Sequence, residues 1–403
     1  MLFYAIALRM YVVLLNSLSM FGNTKAKLWL IGRRQQKEQR STFNVQRSTL
    51  YWFHCASLGE YEQGKPLIKA LKQQEPNAKI LVTFFSPSGY EQKKNDALLD
   101  YVFYLPIDSK KNAREFLDKF NPSKVFFIKY DFWFFYFKEI QQRNIPLYVV
   151  SGLFRENQWF FKWYGSWFLN ALKNVTHFFV QDEKSKQILF QHDIKNVSVT
   201  GDTRFDNVTS DALKPNALID NFCKESEIII MGSSWQDEEQ LMSKVFSELP
   251  SNVKLIIVPH DVSKSHIQEI EQKFSSFYPI KFSEGKITNS RVLIVDAIGV
   301  LKYAYSQSSI AIVGGGFKNT LHNILEPAVC GLPVLHGNNF KKYPEGNLLI
   351  NAGGGFVFEN ASQLKFLLED LLKEKKYQVV GKLSKQFVES NKGATEKILK
   401  FIS

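Results

Sequence analysis

One carboxylate lies where a general base would be expected. Glu60 closes the run SLGE at 57–60, which follows an apolar stretch and begins a helix-like segment. A carboxylate there can take a proton from an attacking hydroxyl, or it can complement the positive end of the helix, which would lower its pKa. Gly59 permits a tight turn and the close approach of a ligand. Spacing alone leaves both roles of Glu60 open and favours the helix-end role.

A second group of residues fits a phosphate-binding loop. Gly314, Gly315 and Gly316 follow the apolar run at 308–313. We expect their backbone N–H groups to be exposed to a phosphate, although a bare turn has the same composition. The pattern is neither GxGxxG nor a P-loop with its lysine, so it does not indicate a dinucleotide site or a P-loop.

Polar side chains follow that loop and two other apolar runs. His322 and Asn323 open the next helix and can donate hydrogen bonds, while Glu326, one turn further, can accept from paired sugar hydroxyls. His260 and Ser233 follow other predicted strands and offer further donors, with a structural histidine and an ordinary helix N-cap as the alternatives. The glycine loop together with a helix-borne carboxylate predicts a nucleotide-sugar site.

All of these residues follow short apolar runs that alternate with helix-like segments. This alternation predicts parallel sheets in two doubly wound, Rossmann-like α/β domains, whose ligands bind beyond the carboxyl ends of the strands. We expect the two domains to face a cleft. The predicted strands of the first domain are 51–57, 79–85, 101–106, 124–130, 146–152, 176–181 and 196–201, and those of the second are 226–233, 253–260, 290–296, 308–316, 332–337 and 354–360.

The predicted domain boundaries follow from the same pattern. Residues 1–48 are an N-terminal segment, 49–205 the first domain and 206–385 the second. The final 386–403 is a helix that could cross back to the first domain. The polar stretch 202–225 is the best candidate for the linker.

Positive charge is concentrated at the N-terminus. The 403 residues carry a net charge of +12, and residues 1–50 contain eight basic residues and one acidic residue. Such a segment suits an anionic surface of lipid or nucleic acid, although a solvated tail has the same composition. The three cysteines have no paired spacing, so neither a metal motif nor a disulfide framework is indicated, and a reducing cytoplasm is the simplest setting.

The stretch 2–22 is largely apolar and predicts a helix. Arg9, Asn16 and Ser19 fall on one narrow stripe at helical spacing, and the rest of the surface is apolar. We favour a helix that lies in the membrane interface, with the basic residues of 25–47 against anionic lipid. A spanning helix would place Arg9 in hydrocarbon, and a helix packed on the protein's own core is a further alternative.

Aromatic residues are concentrated in two segments, 126–137 and 156–170. The first is most simply explained as core. The second is aromatic nearly all round, so one face lacks an obvious intramolecular partner. It is a candidate membrane or lipid-acceptor surface.

At these loops the sequence resembles the 3-deoxy-D-manno-octulosonic acid (Kdo) transferases of lipopolysaccharide synthesis, over nearly the whole chain. The resemblance implies a GT-B fold with an N-terminal membrane-associated helix, at the cytoplasmic face of the inner membrane of a Gram-negative bacterium. It implies inverting transfer from CMP-Kdo to a lipid A precursor, with no metal or other cofactor and no nucleic-acid partner. The segments that carry it are WFHCASLGEYEQGKPLI (52–68), LVTFFSPSGYE (81–91), YLPID (104–108), VTGDTRFD (199–206), VLIVDAIGVLKYAY (292–305) and AIVGGGFKNTLHNILEPAVCGLPVLHG (311–337).

The resemblance also implies roles for individual residues. Glu60 matches the family's catalytic carboxylate, which reverses the preference from spacing, and Asp131 is assigned as a second catalytic acidic residue. The implied donor-binding residues are Ser233, His260, Gly314, Gly315, Gly316, His322, Asn323 and Glu326, the implied acceptor-binding residues are Ser57, Gly59 and Arg204, and no metal ligand is implied.

The chain departs from the family pattern at four places. Pro259 and His260 lack the arginine of the usual PRH, and KYDFW at 129–133 lacks the usual pair of glutamates. TLHN at 320–323 replaces GGHN, and Arg204 stands where a lysine is common. These departures indicate a divergent branch. The alternatives are another GT-B transferase with a different nucleotide sugar, or a non-catalytic protein that binds sugar nucleotides at a membrane.

Overall fold

The structure is a computed structural model that describes residues 2–42, 49–209, 215–286, 289–318 and 320–403. The predicted boundary at 48 and part of the predicted linker, 210–214, lie outside the described residues, as does Arg47 of the basic run. The chain divides into two compact units. The first comprises Met1–Asn207 and Lys392–Ser403, and the second comprises Val208–Asn391.

The first unit is built on a parallel sheet of seven strands. The strands are short and nearly all buried, as a parallel sheet covered on both faces by helices requires. They are β1 (Leu50–Cys55), β2 (Lys79–Phe84), β3 (Tyr101–Tyr104), β4 (Lys124–Ile128), β5 (Leu147–Gly152), β6 (His177–Val180) and β7 (Val197–Val199). Their spatial order is β3-β2-β1-β4-β5-β6-β7, so the chain winds outward from β1 in one direction and then in the other.

In the part of the first unit that the structure describes, two helices precede this sheet and eight belong to its connections or its C-terminal end. They are α1 (Leu2–Met20), α2 (Thr24–Thr42), α3 (Leu58–Gln74), α4 (Pro87–Lys93), α5 (Lys110–Phe120), α6 (Phe134–Gln142), α7 (Ser166–Leu172), α8 (Glu183–Gln191), α9 (Arg204–Asn207) and, at the end of the chain, α18 (Ala394–Ile402). Asp206 holds α18 in this unit, because its carboxylate accepts from the backbone N–H groups of Gly393 and Thr395, both at 2.7 Å.

The winding of the first sheet reverses between β1 and β4, which are paired neighbours. At such a reversal the loops after the two strands separate, and a ligand can bind between them. The loop after β1 leads to Glu60, and the loop after β4 contains Asp131. The topology therefore brings the two predicted catalytic carboxylates to the same edge of one sheet.

The second unit repeats this plan. Its strands are β8 (Glu227–Ser234), β9 (Val253–Pro259), β10 (Ile280–Lys281), β11 (Val292–Ile294), β12 (Ile310–Val313), β13 (Val334–Gly337) and β14 (Gly355–Phe358). They are parallel in the order β10-β11-β9-β8-β12-β13-β14, with the reversal between β8 and β12. The helices are α10 (Ala217–Cys223), α11 (Gln236–Val245), α12 (Lys264–Lys273), α13 (Leu301–Ser306), α14 (Leu325–Val329), α15 (Pro344–Asn351), α16 (Ala361–Leu372) and α17 (Tyr377–Ser390).

The predicted pattern of strands is confirmed. Each of the thirteen predicted runs overlaps one strand, and the two wound sheets that they form are the doubly wound α/β architecture expected. β10 is only two residues long and was not among the predicted strands. The helix predicted to open at His322 begins later, at Leu325.

The N-terminal helices pack on the first unit through aromatic side chains. Tyr4 of α1 lies 5.5 Å from Trp167, measured between ring centroids, and donates a hydrogen bond to the buried carboxylate of Asp108 at 2.7 Å. Tyr11 stacks on Phe85, which follows β2. One side of α1 is therefore part of the fold, as the core alternative requires.

The other side of α1 exposes mostly apolar side chains. Met10 and Val13 are 67% and 65% exposed. In the segment 156–170, Trp163 is 89% exposed, whereas Phe168 is buried. No single helix among the described residues is long and apolar enough to cross a bilayer, although α1 and α2 together, bent by 119°, meet the length and composition criteria. The exposed apolar side chains of α1 and the turn after it are Ile6, Met10, Tyr11, Val13, Leu14, Leu18, Met20 and Phe21.

Candidate active site

Glu60 lies in the first turn of α3, directly beyond β1. Its Oε2 accepts a hydrogen bond from the backbone N–H of Ser57 at 3.0 Å, so the carboxylate does complement the helix N-terminus. The expected lowering of its pKa is wrong. Burial and the charge of Asp131 raise the pKa of Glu60 to about 7, against the opposing effects of the Ser57 N–H and the Lys129 cation. A carboxylate with this pKa is a base suited to neutral pH.

Gly59 does not form the tight turn expected from the sequence. It lies within the first turn of α3, and its φ is outside the left-handed region. A methyl group built on Gly59 would meet nothing closer than Oγ of Ser57 at 4.0 Å. The fold therefore does not require a glycine there. The other half of the prediction, close approach of a ligand to this helix end, is compatible with the open space.

Asp131 lies in the loop between β4 and α6. Lys129 has a φ of +70°, so the chain turns sharply just after β4. Oδ2 of Asp131 accepts from Nε1 of Trp133 at 3.0 Å and lies 2.9 Å from Nε2 of His54. The side chain is 30% exposed. The carboxylate is thus held from its buried side while its charge acts on Glu60.

Arg204 is held in a local ion pair. Its Nε and Nη2 donate to Oδ2 of Asp202 at 2.9 and 2.7 Å. Burial alone would raise the pKa of Asp202, but Arg204 and the hydrogen bonds to it hold that pKa below its usual value. Asp202 also accepts from Nε2 of Gln63 at 3.1 Å, which ties Arg204 to the second turn of α3. The role of Arg204 in acceptor binding stays a prediction.

In the second unit, close packing requires the three glycines after β12. A methyl group on Gly314 would lie 2.0 Å from the carbonyl oxygen of Ser233, and one on Gly316 would lie 2.4 Å from a backbone nitrogen at the end of β13. Gly315 has a φ of +84°, and its methyl group would lie 2.3 Å from the carbonyl oxygen of Thr320. The loop therefore admits no side chain at any of the three positions.

Two of the three glycine N–H groups are not available to a phosphate, so the prediction is wrong for them. The N–H of Gly314 donates to the carbonyl of Gly232 at 3.0 Å, and that of Gly315 donates to Oε1 of Glu238 at 2.9 Å. The other oxygen of Glu238 accepts from the N–H of Trp235 at 3.1 Å. Burial raises the pKa of Glu238 to about 6. This one carboxylate joins the loops after β8 and β12.

The predicted donor residues of three loops meet around Trp235. The ring of His260 stacks on Trp235 with centroids 4.5 Å apart and planes at 26°, and the ring of His322 lies 4.6 Å from His260. Nζ of Lys318 lies 5.0 Å from the centre of the Trp235 ring. Ser233 is at a register shift between β8 and β9, with a φ of +51° that is strained for serine. Strain of this kind is typical of functional loops.

The hydrogen bond between Trp235 and His322 fixes the tautomer of the histidine. Nε1 of Trp235 donates to Nε2 of His322 at 3.2 Å, and a tryptophan is a donor only. Burial and the neighbouring His260 lower the pKa of His322 to about 4, so the ring is neutral near pH 7 and carries its proton on Nδ1. His322 therefore offers one N–H donor and no positive charge.

Asn323 precedes α14 and orients the carboxylate of Glu326. Oδ1 of Asn323 accepts from the N–H of Leu325 at 3.1 Å, and Nδ2 donates to Oε1 of Glu326 at 3.3 Å. Nζ of Lys302 lies 3.9 Å from the same oxygen. Glu326 is half-buried in the first turn of the helix. An amide and a cation thus support a carboxylate that could accept from sugar hydroxyls.

The likeness to known proteins begins in the first unit and extends over most of the chain. A sequence profile of the 3-deoxy-D-manno-octulosonic-acid transferase (kdotransferase) family matches residues 30–207. A 3-deoxy-D-manno-octulosonic acid transferase of Chlamydophila psittaci is 27% identical over 339 residues, which cover 79% of this chain and 77% of that protein. One of Aquifex aeolicus is 28% identical over 348 residues, covering 83% and 89%. The chain is thus similar to this family over most of its length.

Members of the family are glycosyltransferases, and the fold agrees with that class. A UDP-GlcNAc 2-epimerase from Neisseria meningitidis superposes with a TM-score of 0.61 at 16% identity, over 88% of this chain and 99% of that one. MurG of Acinetobacter baumannii superposes with a TM-score of 0.57 at 12% identity, over 88% and 99%. Identities this low show the fold alone, which is GT-B, as expected.

Residues of this transferase's candidate site that were not predicted from the sequence include His54, Trp235, Glu238 and Lys318. Glu238 lies three residues after Trp235, which is the spacing of a capping box, so the sequence did contain a signal. Nothing in the sequence indicates its bond to Gly315, 77 residues further along. In the sequence, His54 is only a single polar residue inside an apolar run, and nothing there indicates its role.

Proposed function

We propose that this transferase moves Kdo from CMP-Kdo to a hydroxyl of a lipid A precursor in lipopolysaccharide biosynthesis, with inversion and without a metal ion. The acceptor hydroxyl gives its proton to Glu60 as its oxygen attacks the anomeric carbon of Kdo. The bond from that carbon to the CMP phosphate oxygen breaks, and CMP leaves with the bonding electrons. The names of the Chlamydophila psittaci and Aquifex aeolicus relatives support the choice of sugar.

The observation that carries the proposal is the pair of carboxylates at the reversal of the first sheet. Glu60 has its pKa raised to about 7 by burial and by Asp131, so near neutral pH a large fraction of the group is an ionised base. Glu60 stands at a helix N-terminus beside Gly59, where open space allows an acceptor hydroxyl to approach. A general base is the part that an inverting transferase requires from its protein.

The second unit supports the binding of a nucleotide. Trp235 and His260 present stacked rings, and His322 adds an N–H donor beside them. Lys318 supplies positive charge at the same place, and Glu326 can accept from two neighbouring hydroxyls. Donors and cations can stabilise the developing charge of a phosphate leaving group. Among the described residues, no group of three or more His, Cys, Asp or Glu is arranged to hold a metal ion.

A transfer assay over a panel of nucleotide sugars tests this proposal. We expect the full chain to release CMP from CMP-Kdo in the presence of vesicles that contain a lipid A precursor, and mass spectrometry should show a lipid product heavier by one or more Kdo residues. UDP-GlcNAc should give no product, and EDTA should leave the rate unchanged. Transfer from another nucleotide sugar alone would replace Kdo in the assignment, and no turnover of any donor would favour a non-catalytic binding protein.

We also propose that the exposed face of α1 lies in the cytoplasmic leaflet of the inner membrane of a Gram-negative bacterium. Met10, Val13 and Leu14 are exposed apolar side chains at helical spacing, and exposed basic residues such as Lys25 and Lys27 follow them. Apolar insertion and anionic lipid then act together. The opposite side of α1 reaches Phe85, whose ring lies 4.9 Å from Trp133 in the Asp131 loop. An amphiphilic acceptor held in the leaflet would thus be close to the proposed base.

Acidic substitutions on that face test the membrane proposal. Met10→Glu combined with Val13→Glu should reduce binding to vesicles of anionic phospholipid at least tenfold in a co-sedimentation assay, because each buried apolar side chain contributes about 1.5–3 kcal/mol. Activity on a detergent-dispersed acceptor should fall less than activity on vesicles.

A matched control comes from the second unit, where Phe366 and Val379 are similarly exposed. Phe366→Glu with Val379→Glu should leave vesicle binding unchanged. Equal binding by the α1 variant and the wild type would contradict the proposal. The wild-type affinity for CMP should persist in both variants.

A further inference from the structure

A line of polar side chains crosses the buried interior of the first sheet. Trp52, His54 and Thr83 have no solvent exposure at all. His54 and Thr83 are paired residues of β1 and β2, and Trp52 lies two positions before His54, hence on the same face. The line ends at Asp131, in the loop after β4, which is the other neighbour of β1 in the sheet. Polar side chains at such depth need hydrogen-bond partners, and here they have one another.

The direction of each hydrogen bond follows from the donors available. Nε1 of Trp52 can only donate, and it lies 2.8 Å from Oγ1 of Thr83. The Thr83 hydroxyl must then direct its own proton elsewhere. Nδ1 of His54 is 2.9 Å away, whereas the carbonyl of Phe53 is at 3.5 Å, the limit for such a bond. The hydroxyl therefore donates to Nδ1 of His54.

The other nitrogen of His54 then carries a proton. Nε2 of His54 lies 2.9 Å from Oδ2 of Asp131 and donates to it. Nε1 of Trp133 lies 3.0 Å from both that nitrogen and that oxygen, and as a donor it can bond only to the oxygen. Oδ2 of Asp131 thus receives two N–H donors from groups that are buried. This arrangement fixes the place of a carboxylate whose charge acts on Glu60.

We propose that Trp52, Thr83 and His54 form a buried hydrogen-bond relay whose function is to hold the carboxylate of Asp131 beside Glu60, which makes His54 a positioning residue for the proposed base. This inference rests on the proposed function, because it concerns the residue assigned as the base. It adds residues of β1 and β2 that act without touching substrate.

The relay affects reactivity through the charge next to Glu60. Among the described residues, the charged and titratable groups that act on Glu60 or are affected by it include Asp131 and Lys129 in the loop after β4, and the buried thiol of Cys55 at the end of β1. The charge of Asp131 also contributes to raising the pKa of Tyr4 in α1. Burial and Asp131 raise the pKa of Glu60, and Lys129 lowers it. If Asp131 turned away, the pKa of Glu60 would fall and the base would become weaker.

The test compares two buried histidines of the same sheet. His54→Phe keeps a ring of similar size but removes both nitrogens, and His54→Gln keeps a donor near the position of Nε2. His177 in β6 is also buried, but its Nε2 bonds to Oγ of Ser198 at 2.8 Å, so His177→Phe is the matched control. The measurements are the pH profile of transfer and, independently of turnover, a ¹³C NMR titration of the Glu60 carboxyl group.

We expect His54→Phe to lower the pKa of Glu60 in the NMR titration, and the midpoint of the acid limb of the activity profile, by about one pH unit. At pH values above that limb, turnover should fall on the order of tenfold. The KM for the donor should not change. His54→Gln should restore most of both properties, and His177→Phe should alter neither. In an Asp131→Asn background, His54→Phe should have no further effect on the titration, because both act through one carboxylate.

Two results would overturn the relay. The first is a Glu60 titration that is the same in His54→Phe as in His177→Phe. The second is a shift of the Glu60 titration by His54→Phe that is as large in the Asp131→Asn background as in the wild type. Should His54→Phe not fold, Thr83→Val breaks the same line with a nearly isosteric side chain, and a titration unchanged in that variant would overturn the relay equally. The NMR titration needs no turnover, so it tests the relay even if the wild type transfers no Kdo. The relay and the proposed transferase activity can therefore be refuted independently of each other.

Discussion

Glu60→Gln is expected to reduce transfer about 10²–10⁴-fold, because the substitution removes the proposed base while it keeps the shape of the side chain. The amide can still accept a hydrogen bond from the N–H of Ser57, so the start of α3 should be preserved. Affinity for CMP should be unchanged, since the predicted donor residues belong to the second unit. Single-turnover assays and calorimetric titration of CMP measure the two properties separately.

The control for this variant is Glu62→Gln on the same helix. Glu62 pairs with Lys93 at 3.3 Å and accepts from Asn207 at 2.9 Å, and neither contact leads to Asp131. Its loss should change transfer by no more than about twofold, as expected for a partly exposed ion pair. Turnover of Glu60→Gln within tenfold of the wild type would remove Glu60 from the mechanism.

The pH dependence of the wild type follows from the same residue. A base must be ionised to accept a proton, and the pKa of Glu60 is raised to about 7. Activity should therefore be highest above pH 7 and should fall as the pH decreases through that value. Asp131→Asn removes the second cause of the raised pKa, so it should shift this acid limb to lower pH.

Most of the fold could be predicted from the sequence, because strands of a parallel sheet are continuous apolar runs bounded by polar segments. The predictions failed where the local sequence pattern was too short to detect or where tertiary contacts determined the structure. The strand at Ile280–Lys281 is two residues long and follows Pro279, so it has no periodicity to detect. The start of α14 was placed too early because the backbone of His322 donates to the carbonyl of Gly314 at 3.1 Å and keeps this segment with the glycine loop.

Many individual residues of the site could be predicted, but the hydrogen bonds and ring contacts between them could not. Residues after strands could be selected by type, and the reversals of the two sheets do bring Glu60 to Asp131 and the glycine loop to Trp235. The bonds between them join residues far apart in the chain: 77 positions separate His54 from Asp131. Sequence reasoning also assigned the glycine N–H groups to a phosphate, because a glycine run does not reveal that Glu238 occupies one of them.

Gly315→Ala should therefore disrupt donor binding for a steric reason and not through the loss of an N–H donor. An alanine at a φ of +84° is strained by about 1–2 kcal/mol. Its methyl group would also lie 2.3 Å from the backbone of Thr320, and accommodating it should cost about 1–3 kcal/mol more. Relief of the clash must move the loop that Glu238 ties to Trp235. We expect CMP affinity to fall on the order of 10²-fold in calorimetry, with a lower unfolding temperature.

Gly285→Ala separates the two causes within the same unit. Gly285 has a φ of +65°, but a methyl group there would meet nothing within 4 Å. This variant should show the backbone strain alone, as a small decrease in unfolding temperature with normal CMP affinity. If a folded Gly315→Ala protein bound CMP as well as Gly285→Ala does, the loop after β12 would not form part of the donor site. The nucleotide would then have to be sought at other strand ends of the second sheet.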